Sequence, residues 1–325
     1  MNLKHIITGI VLAALASVLV YAALAFFTDA PKMAATLRAF PLSVLALMLA
    51  LGAISFVVRG IRWAALMRLI GYPVSTRDAM YLQLSGQTMS VTPGRVGEVL
   101  KPWLASNIAE MPMTRGIALV FSERLADLIA VCCLALGGLS AIGGSVWVLA
   151  AALGAIVVGT LVASSHWFHD LAMKVIGRQK WAKKHHASAL SISETIRASL
   201  TWRTMLWSVS ASVIAWGLEG VGLGLCLHAL GFAKLGIVAA VSVYAVSTIA
   251  GAFTFLPGGI GLTEASMAGI LIAVGVDASS ASAATLITRV ATLWWGVTVG
   301  WIAIATKPLL FKKLLSNSTD PQAET

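Results

Sequence analysis

The chain has 325 residues, of which 58% are hydrophobic and only 11% charged. Soluble domains carry about 25% charged residues, so this composition excludes a soluble enzyme or binding module and indicates an all-α polytopic membrane protein. The formal net charge of +10 is not a nucleic-acid footprint, because most of the cations flank apolar spans, as the positive-inside rule expects.

A membrane-crossing helix needs about 20 apolar residues. In chain order the runs that qualify are 6–27, 41–58, 113–136, 143–164, 205–230 and 281–305. The first follows Lys4 and is too long for the h-region of a signal peptide, so it is expected to stay as an anchor. After the second, Arg59, Arg62 and Arg68 alternate with Trp63, Leu66 and Met67, which reads as an amphipathic helix along the headgroup layer. Two further apolar regions, 79–106 and 236–275, are interrupted by Pro-Gly sequences. Each reads as two half-helices forming a re-entrant hairpin, because broken helices need a cavity or protein to satisfy their backbone. The second region, with Gly236 to Leu256 alone, is also long enough for two complete spans. The linker 166–203 holds a second amphipathic cytoplasmic segment, 170–186, where Lys174, Arg178, Lys180, Lys183 and Lys184 mix with Val175, Ile176 and Trp181. Residues 1–315 are read as one integral membrane domain and 316–325 as a disordered polar tail.

The two interruptions echo each other. Ser90-Val-Thr-Pro-Gly-Arg-Val-Gly-Glu98 and Phe255-Leu-Pro-Gly-Gly-Ile-Gly-Leu-Thr-Glu264 share Pro-Gly-x-[Val/Ile]-Gly and a following glutamate. An arginine follows in an apolar helix, Arg124 being 26 residues past Glu98 and Arg289 being 25 past Glu264. A period near half the chain length means two similar units, repeat A over about 41–136 and repeat B over about 205–305. With the N-terminus cytoplasmic, inside segments hold 18 of the 23 Lys and Arg, and outside segments only Lys32, Arg38 and Lys234. That split predicts both termini inside. The repeats then run antiparallel, the architecture of many secondary transporters, whose site lies between broken helices at the midplane.

Charges inside a bilayer cost at least about 2–3 kcal/mol each and mark functional positions. The candidates are Arg95, Glu98, Glu123, Arg124, Asp127, Glu219, Glu264 and Arg289. The nearly equal spacings predict one ion pair per repeat, Glu98 with Arg124 and Glu264 with Arg289. These pairs either line a polar path for a charged headgroup or lock each hairpin to its neighbour. Arg95 has no counterpart, since Gly259 takes its place, and a guanidinium beside free backbone N–H groups suits a phosphate. Lys101 assists from the rim. The hairpin backbone rests on Pro93, Gly94 and Gly97 in the first motif, and on Pro257, Gly258, Gly259 and Gly261 in the second. Glu123 and Asp127 share a helical face, where they pair with Arg124 or Arg115 or relay protons. Glu219 stands alone among Gly217, Gly220, Gly222 and Gly224, and joins them as a candidate for proton coupling.

Cys132, Cys133 and Cys226 read as buried thiols. His166, His169, His185 and His186 read as solvated surface, so no metal and no cofactor is expected. The chain carries no Walker loop, nucleophile elbow, His-Glu-x-x-His or nucleotide fingerprint.

The Pro93–Glu98 box, the Glu123–Arg124 pair and the Pro257–Glu264 box, in that order, resemble the lysylphosphatidylglycerol synthase transmembrane family, over about residues 5 to 310. That family includes the flippase half of bifunctional aminoacyl-phosphatidylglycerol proteins and stand-alone members associated with hopanoid or glycolipid pathways. The resemblance implies movement of lipids or lipid-linked precursors across the bacterial inner membrane. No aminoacyl-transfer domain follows residue 305, so synthesis of lysyl-lipid is not expected. The expectation is therefore a non-enzymatic flippase for an anionic phospholipid, isoprenoid phosphate, hopanoid or glycolipid, with membrane lipids as partners. Two alternatives remain at this stage: a membrane-embedded enzyme acting on a lipid phosphate or glycolipid, and a non-catalytic partner of a lipid-modifying enzyme.

Overall fold

The computed structural model describes residues 29–91, 99–143, 145–165, 186–253 and 257–307, together with Leu15 and Leu19. The run 6–27 apart from those two residues, the segment 170–185, the tail and Thr92–Glu98 lie outside it. Among the described residues there are twelve α-helices.

In chain order they are α1 (Ala30–Ala39), α2 (Leu42–Leu69), α3 (Thr76–Gln87), α4 (Leu100–Ala109), α5 (Met113–Gly138) and α6 (Val146–Ser164). Then come α7 (His186–Ser199), α8 (Trp202–Ala229), α9 (Ile237–Ala252), α10 (Leu262–Ala273), α11 (Ala278–Arg289) and α12 (Trp295–Thr306). A π-helical turn, Val290–Trp294, joins the last two, and the pair runs as one helix of 29 residues. This helix, α2 and α8 are the three long and apolar enough to cross a membrane by length and composition. α5 has the length, at 26 residues, but carries Arg115, Glu123, Arg124 and Asp127.

Both interrupted regions form paired short helices. The α3 helix starts at Ser75, whose side chain accepts the Asp78 N–H, and runs for 12 residues; α4 runs for 10. In the second region α9 has 16 residues and α10 has 12. All four fall short of the roughly 20 residues needed to cross. Between α9 and α10 the chain turns through Gly258, Gly259 and Gly261, all at positive φ (59°, 68° and 99°), a backbone that a side chain would strain. The glycines of the second motif are there for that turn.

Helices from the first and second halves of the chain interleave. The most extensive contact is between α2 and α8. In the first interrupted region, α4 rests on α5 while α3 rests on α2 and on α12. In the second, α10 rests on α11 while α9 rests on α5 and α8. Small residues allow these approaches. At Gly300 an added Cβ would lie 2.7 Å from the Thr88 nitrogen and 2.8 Å from the Leu84 oxygen.

Two expectations are corrected here. The helix that was expected to end near 58 continues to Leu69, and its buried positions, Gly52, Ser55, Phe56, Arg59, Arg62, Trp63, Leu66 and Met67, keep one helical stripe throughout. Arg59 and Arg62 are therefore inside the protein and not in the headgroup layer; Arg68 alone of the three is exposed. Cys133 is exposed, whereas Cys132 and Cys226 are buried, because neighbours in a helix point about 100° apart.

Candidate functional site

Unbroken helical period carries two arginines from α2 into the centre of the molecule. Ser55, Arg59 and Arg62 are spaced i, i+4 and i+7 and so share a face, and that face meets α5 and α8. The Arg59 guanidinium donates to Glu219 Oε1 at 3.0 Å and to Ser55 Oγ at 3.2 Å. It also lies 4.2 Å from the centre of the Trp216 ring. Ser55 donates to Glu219 Oε1 at 2.7 Å, and Tyr244 from α9 donates to Glu219 Oε2 at 2.6 Å. Glu219 is thus held by groups from α2, α8's own neighbour Trp216 through Arg59, and α9; the expectation of a lone acid is overturned.

Arg62, fully buried, bridges the two carboxylates of α5. It donates to Glu123 Oε1 at 2.7 Å and to Asp127 Oδ1 at 2.7 Å, and also to Ser212 Oγ of α8. Lys101 on α4 is buried and not at the rim. Its ammonium donates to Glu123 Oε2 and to Gln83 Oε1, both at 2.7 Å, and lies 4.0 Å from the centre of the Trp63 ring. Arg124 lies 3.3 Å from Asp127 Oδ2 and 3.8 Å from Glu123 Oε1. The expected pairing of Arg124 with Glu98 falls outside the described residues, as do Pro93, Gly94, Arg95 and Gly97. Within them, the carboxylates of Arg124's own helix supply its ion pairs.

The other expected pair is formed. Arg289 Nε donates to Glu264 Oε1 at 2.5 Å, and its Nη2 donates to the Gly258 carbonyl at 2.8 Å. Glu264 Oε2 accepts the Gly261 N–H at 2.6 Å, capping the first turn of α10. Glu264 is therefore both the cap of the half-helix and the anchor of the arginine, and it is wholly buried.

These groups surround one cavity of about 160 Å³, lined from both hairpins and from the long helices between them. Arg59, Lys101, Arg124 and Arg289 reach its wall, as do Glu123 and Glu219. Gln83, Gly86, Gln87 and Ser90 come from the first hairpin; Tyr244, Thr248, Gly251, Gly258, Gly259 and Thr263 come from the second. Glu264, Asp127 and Arg62 stand behind the wall and hold it. A polar cavity inside an apolar helical assembly requires such pairing, since an isolated buried charge costs several kcal/mol. The arrangement can receive an anionic group among four cations while the acids keep those cations in place.

Sequence reasoning brought Lys101, Glu123, Arg124, Glu219, Arg289, Gly258 and Gly259 to this cavity wall. It missed Arg59, Arg62, Gln83, Trp216 and Tyr244. For the two arginines the signal was present: 59, 62, 63, 66 and 67 follow the i, i+3, i+4 spacing of one face, so the arginines share the apolar face instead of opposing it.

Comparison with known proteins places the whole of this region in one family. The family model for the lysylphosphatidylglycerol synthase TM region matches residues 8–300. The chain belongs to that family. Similar to this lysylphosphatidylglycerol synthase transmembrane family member are two UPF0104 membrane proteins of Methanothermobacter thermautotrophicus (strain Delta H). One is 24% identical over 271 residues, covering 75% of this chain and 79% of the relative. The other is 22% identical over 288 residues, covering 79% and 81%. With its family and its apolar helices, the protein is a multi-pass membrane protein.

Proposed function

We propose that this chain is a flippase of the bacterial inner membrane that moves an anionic or lipid-linked amphiphile between leaflets. The observation that carries the reading is a cavity lined by both broken-helix pairs and four cations, in a family tied to lysylphosphatidylglycerol synthase. Both termini are cytoplasmic in this reading, and the hairpins enter from opposite faces as inverted repeats. Moving Arg59, Arg62 and Lys101 from the cytoplasmic count to the buried network leaves fifteen inside cations against three outside, so the positive-inside bias still supports that orientation. The headgroup passes through the cavity while the acyl chains stay in lipid, and the repeats rock about it. The reading treats the protein as a carrier and not an enzyme: its carboxylates serve to hold cations.

The test uses purified protein in liposomes with a headgroup-labelled anionic phospholipid, following leaflet distribution and lipid mass together. Wild type should equilibrate the label between leaflets at constant mass, and Arg59→Gln and Arg289→Gln should each slow it about tenfold or more. A product of altered mass would make the protein an enzyme. Unchanged rates in both variants would remove the cavity from the path.

A further inference from the structure

The two motifs differ at one point that a simple repeat does not explain. The second inserts Leu262-Thr263 between its last glycine and its glutamate, where the first runs directly from Gly97 to Glu98. Thr263 stands in the first turn of α10, is only 4% exposed and lines the cavity. Hydroxyls on the neighbouring helices are satisfied locally: Ser247, Thr248, Thr285 and Thr292 each donate to the carbonyl four residues back. The Thr263 carbonyl accepts from Ser266, but its hydroxyl has no hydrogen-bond partner among the described residues.

Two glycines keep that hydroxyl uncovered. A Cβ on Gly259 would lie 2.7 Å from the Thr263 oxygen, and one on Gly251 would overlap it. Gly259 is at positive φ and serves the turn as well. Gly251 is in regular helix, where alanine would be the better helix former, so its reason is the approach to Thr263. Beside the hydroxyl, Arg289 is oriented by Nε on Glu264 and Nη2 on the Gly258 carbonyl. Its Nη1 has no partner among the described residues, and Arg289 also lines the cavity. The N–H groups of Leu262 and Thr263, at the start of the helix, have no backbone acceptor among the described residues, as expected of a first turn.

Resting on the flippase reading above, we propose that the start of α10 is an oxyanion subsite, where the Thr263 hydroxyl, the Arg289 guanidinium and the first-turn N–H groups receive the phosphate of the headgroup. Every group there offers a donor, and the guanidinium and the N–H groups can only donate. The complementary ligand only accepts, and in a lipid headgroup that group is the phosphate. The helix dipole and a charge-assisted bond from arginine favour the same ligand. The carboxylate of Glu264 does not compete for the position, since its oxygens are taken by the Gly261 N–H and Arg289 Nε.

The experiment compares Thr263→Ser with Thr263→Ala. Both remove the same methyl, so any packing loss is shared and the hydroxyl is the difference between them. Titration calorimetry of the purified full chain in neutral-detergent micelles measures binding of short-chain phosphatidylglycerol, of dimethyl phosphate and of the matching diacylglycerol, which lacks the oxyanion. Thr263→Ser should bind phosphatidylglycerol about tenfold more tightly than Thr263→Ala, the loss expected for one hydrogen bond to a charged group. Equal affinities in the two variants overturn the subsite and leave the flippase reading standing. An equal serine–alanine difference for diacylglycerol assigns the hydroxyl to the glycerol esters and also overturns it. If the difference holds but wild type moves no lipid between leaflets, the flippase reading fails and the subsite stands. If it holds for dimethyl phosphate while phosphatidylglycerol does not bind, the anion is a soluble phosphate and the lipid source is overturned.

Discussion

Arg59 and Glu219 show what a buried charge needs in this protein. Arg59 has the carboxylates of Glu219 and, at 3.8 Å, Asp127, a hydroxyl and an indole face as partners, and Glu219 has three donors from two other helices. Removing only one member strands the other, which costs about 3–5 kcal/mol, whereas replacing both with apolar groups of similar size is about neutral. Arg59→Met should therefore destabilise strongly in a denaturation series in mixed micelles, and Arg59→Met/Glu219→Leu should recover most of that loss. Equal destabilisation by the single and double variants would mean that the pair is not a closed unit. The double variant should still fail in lipid movement, because stability is not what this pair supplies. The sequence made some of this legible at the same scale. Nearly equal intervals from motif glutamate to arginine located Glu264 with Arg289. The arginines of α2 escaped because they were read by their charge, which belongs at the headgroups, while their spacing placed them in the core. Gln83 and Tyr244 carry no charge and lie in ordinary apolar context, so nothing but the three-dimensional packing marks them.

At the scale of elements, glycine positions separate two roles. Gly300 lies where α12 crosses α3, and a Cβ there would meet the Thr88 nitrogen at 2.7 Å, a backbone contact that cannot be relieved by a rotamer change. Gly300→Ala should cost about 1–3 kcal/mol through forced separation of the helices. Gly269, in the middle of α10 with open space around it, provides the control. Gly269→Ala should be neutral or stabilise by up to about 1 kcal/mol, since alanine is the better helix former. Thermal unfolding of both variants in detergent gives the comparison, and loss of stability in both would show that the α3–α12 approach is not the cause. The existence of the broken helices was readable from Pro-Gly inside apolar runs, because only a glycine-rich turn tolerates φ values such as the 99° at Gly261. Which neighbour each half-helix chooses was not readable. The crosswise packing of α3 on α12 and α9 on α5 joins residues more than 100 positions apart and depends on shape, not on any local pattern.

For the whole molecule, the last helix is the measuring rod. Its 29 residues from Ala278 to Thr306 extend about 43 Å at 1.5 Å per residue, against a hydrocarbon core of about 30 Å. As a membrane span it is long enough for its two ends to emerge on opposite faces. Each end is tied to a different part of the chain. At the start, Asp277 pairs with Lys32 of α1 at 3.1 Å, and hydrogen bonds from Ser280 and Lys32 hold its carboxyl below the usual carboxylate range. At the finish, Lys307 pairs with Asp78 of α3 at 2.5 Å and lies 4.8 Å from the centre of the Tyr81 ring. Between them, the π turn interrupts the helix directly after Arg289, at the cavity wall, and π turns of this kind recur at functional sites. The inverted-repeat reading then makes a sharp demand: the first hairpin opens to the cytoplasm and Asp277 faces outside. In a background with Cys132, Cys133 and Cys226 replaced by serine or alanine, Asp277→Cys should react with a membrane-impermeant maleimide added to intact cells. Asp78→Cys should react only after the cells are opened. Labelling of both from the same side would break the inverted arrangement, because a 43 Å helix cannot return both of its ends to one face. Labelling with the sides exchanged would keep the repeats antiparallel but reverse the chain, moving the cation-rich termini outside and sending the headgroup in the opposite direction past Arg59 and Arg289.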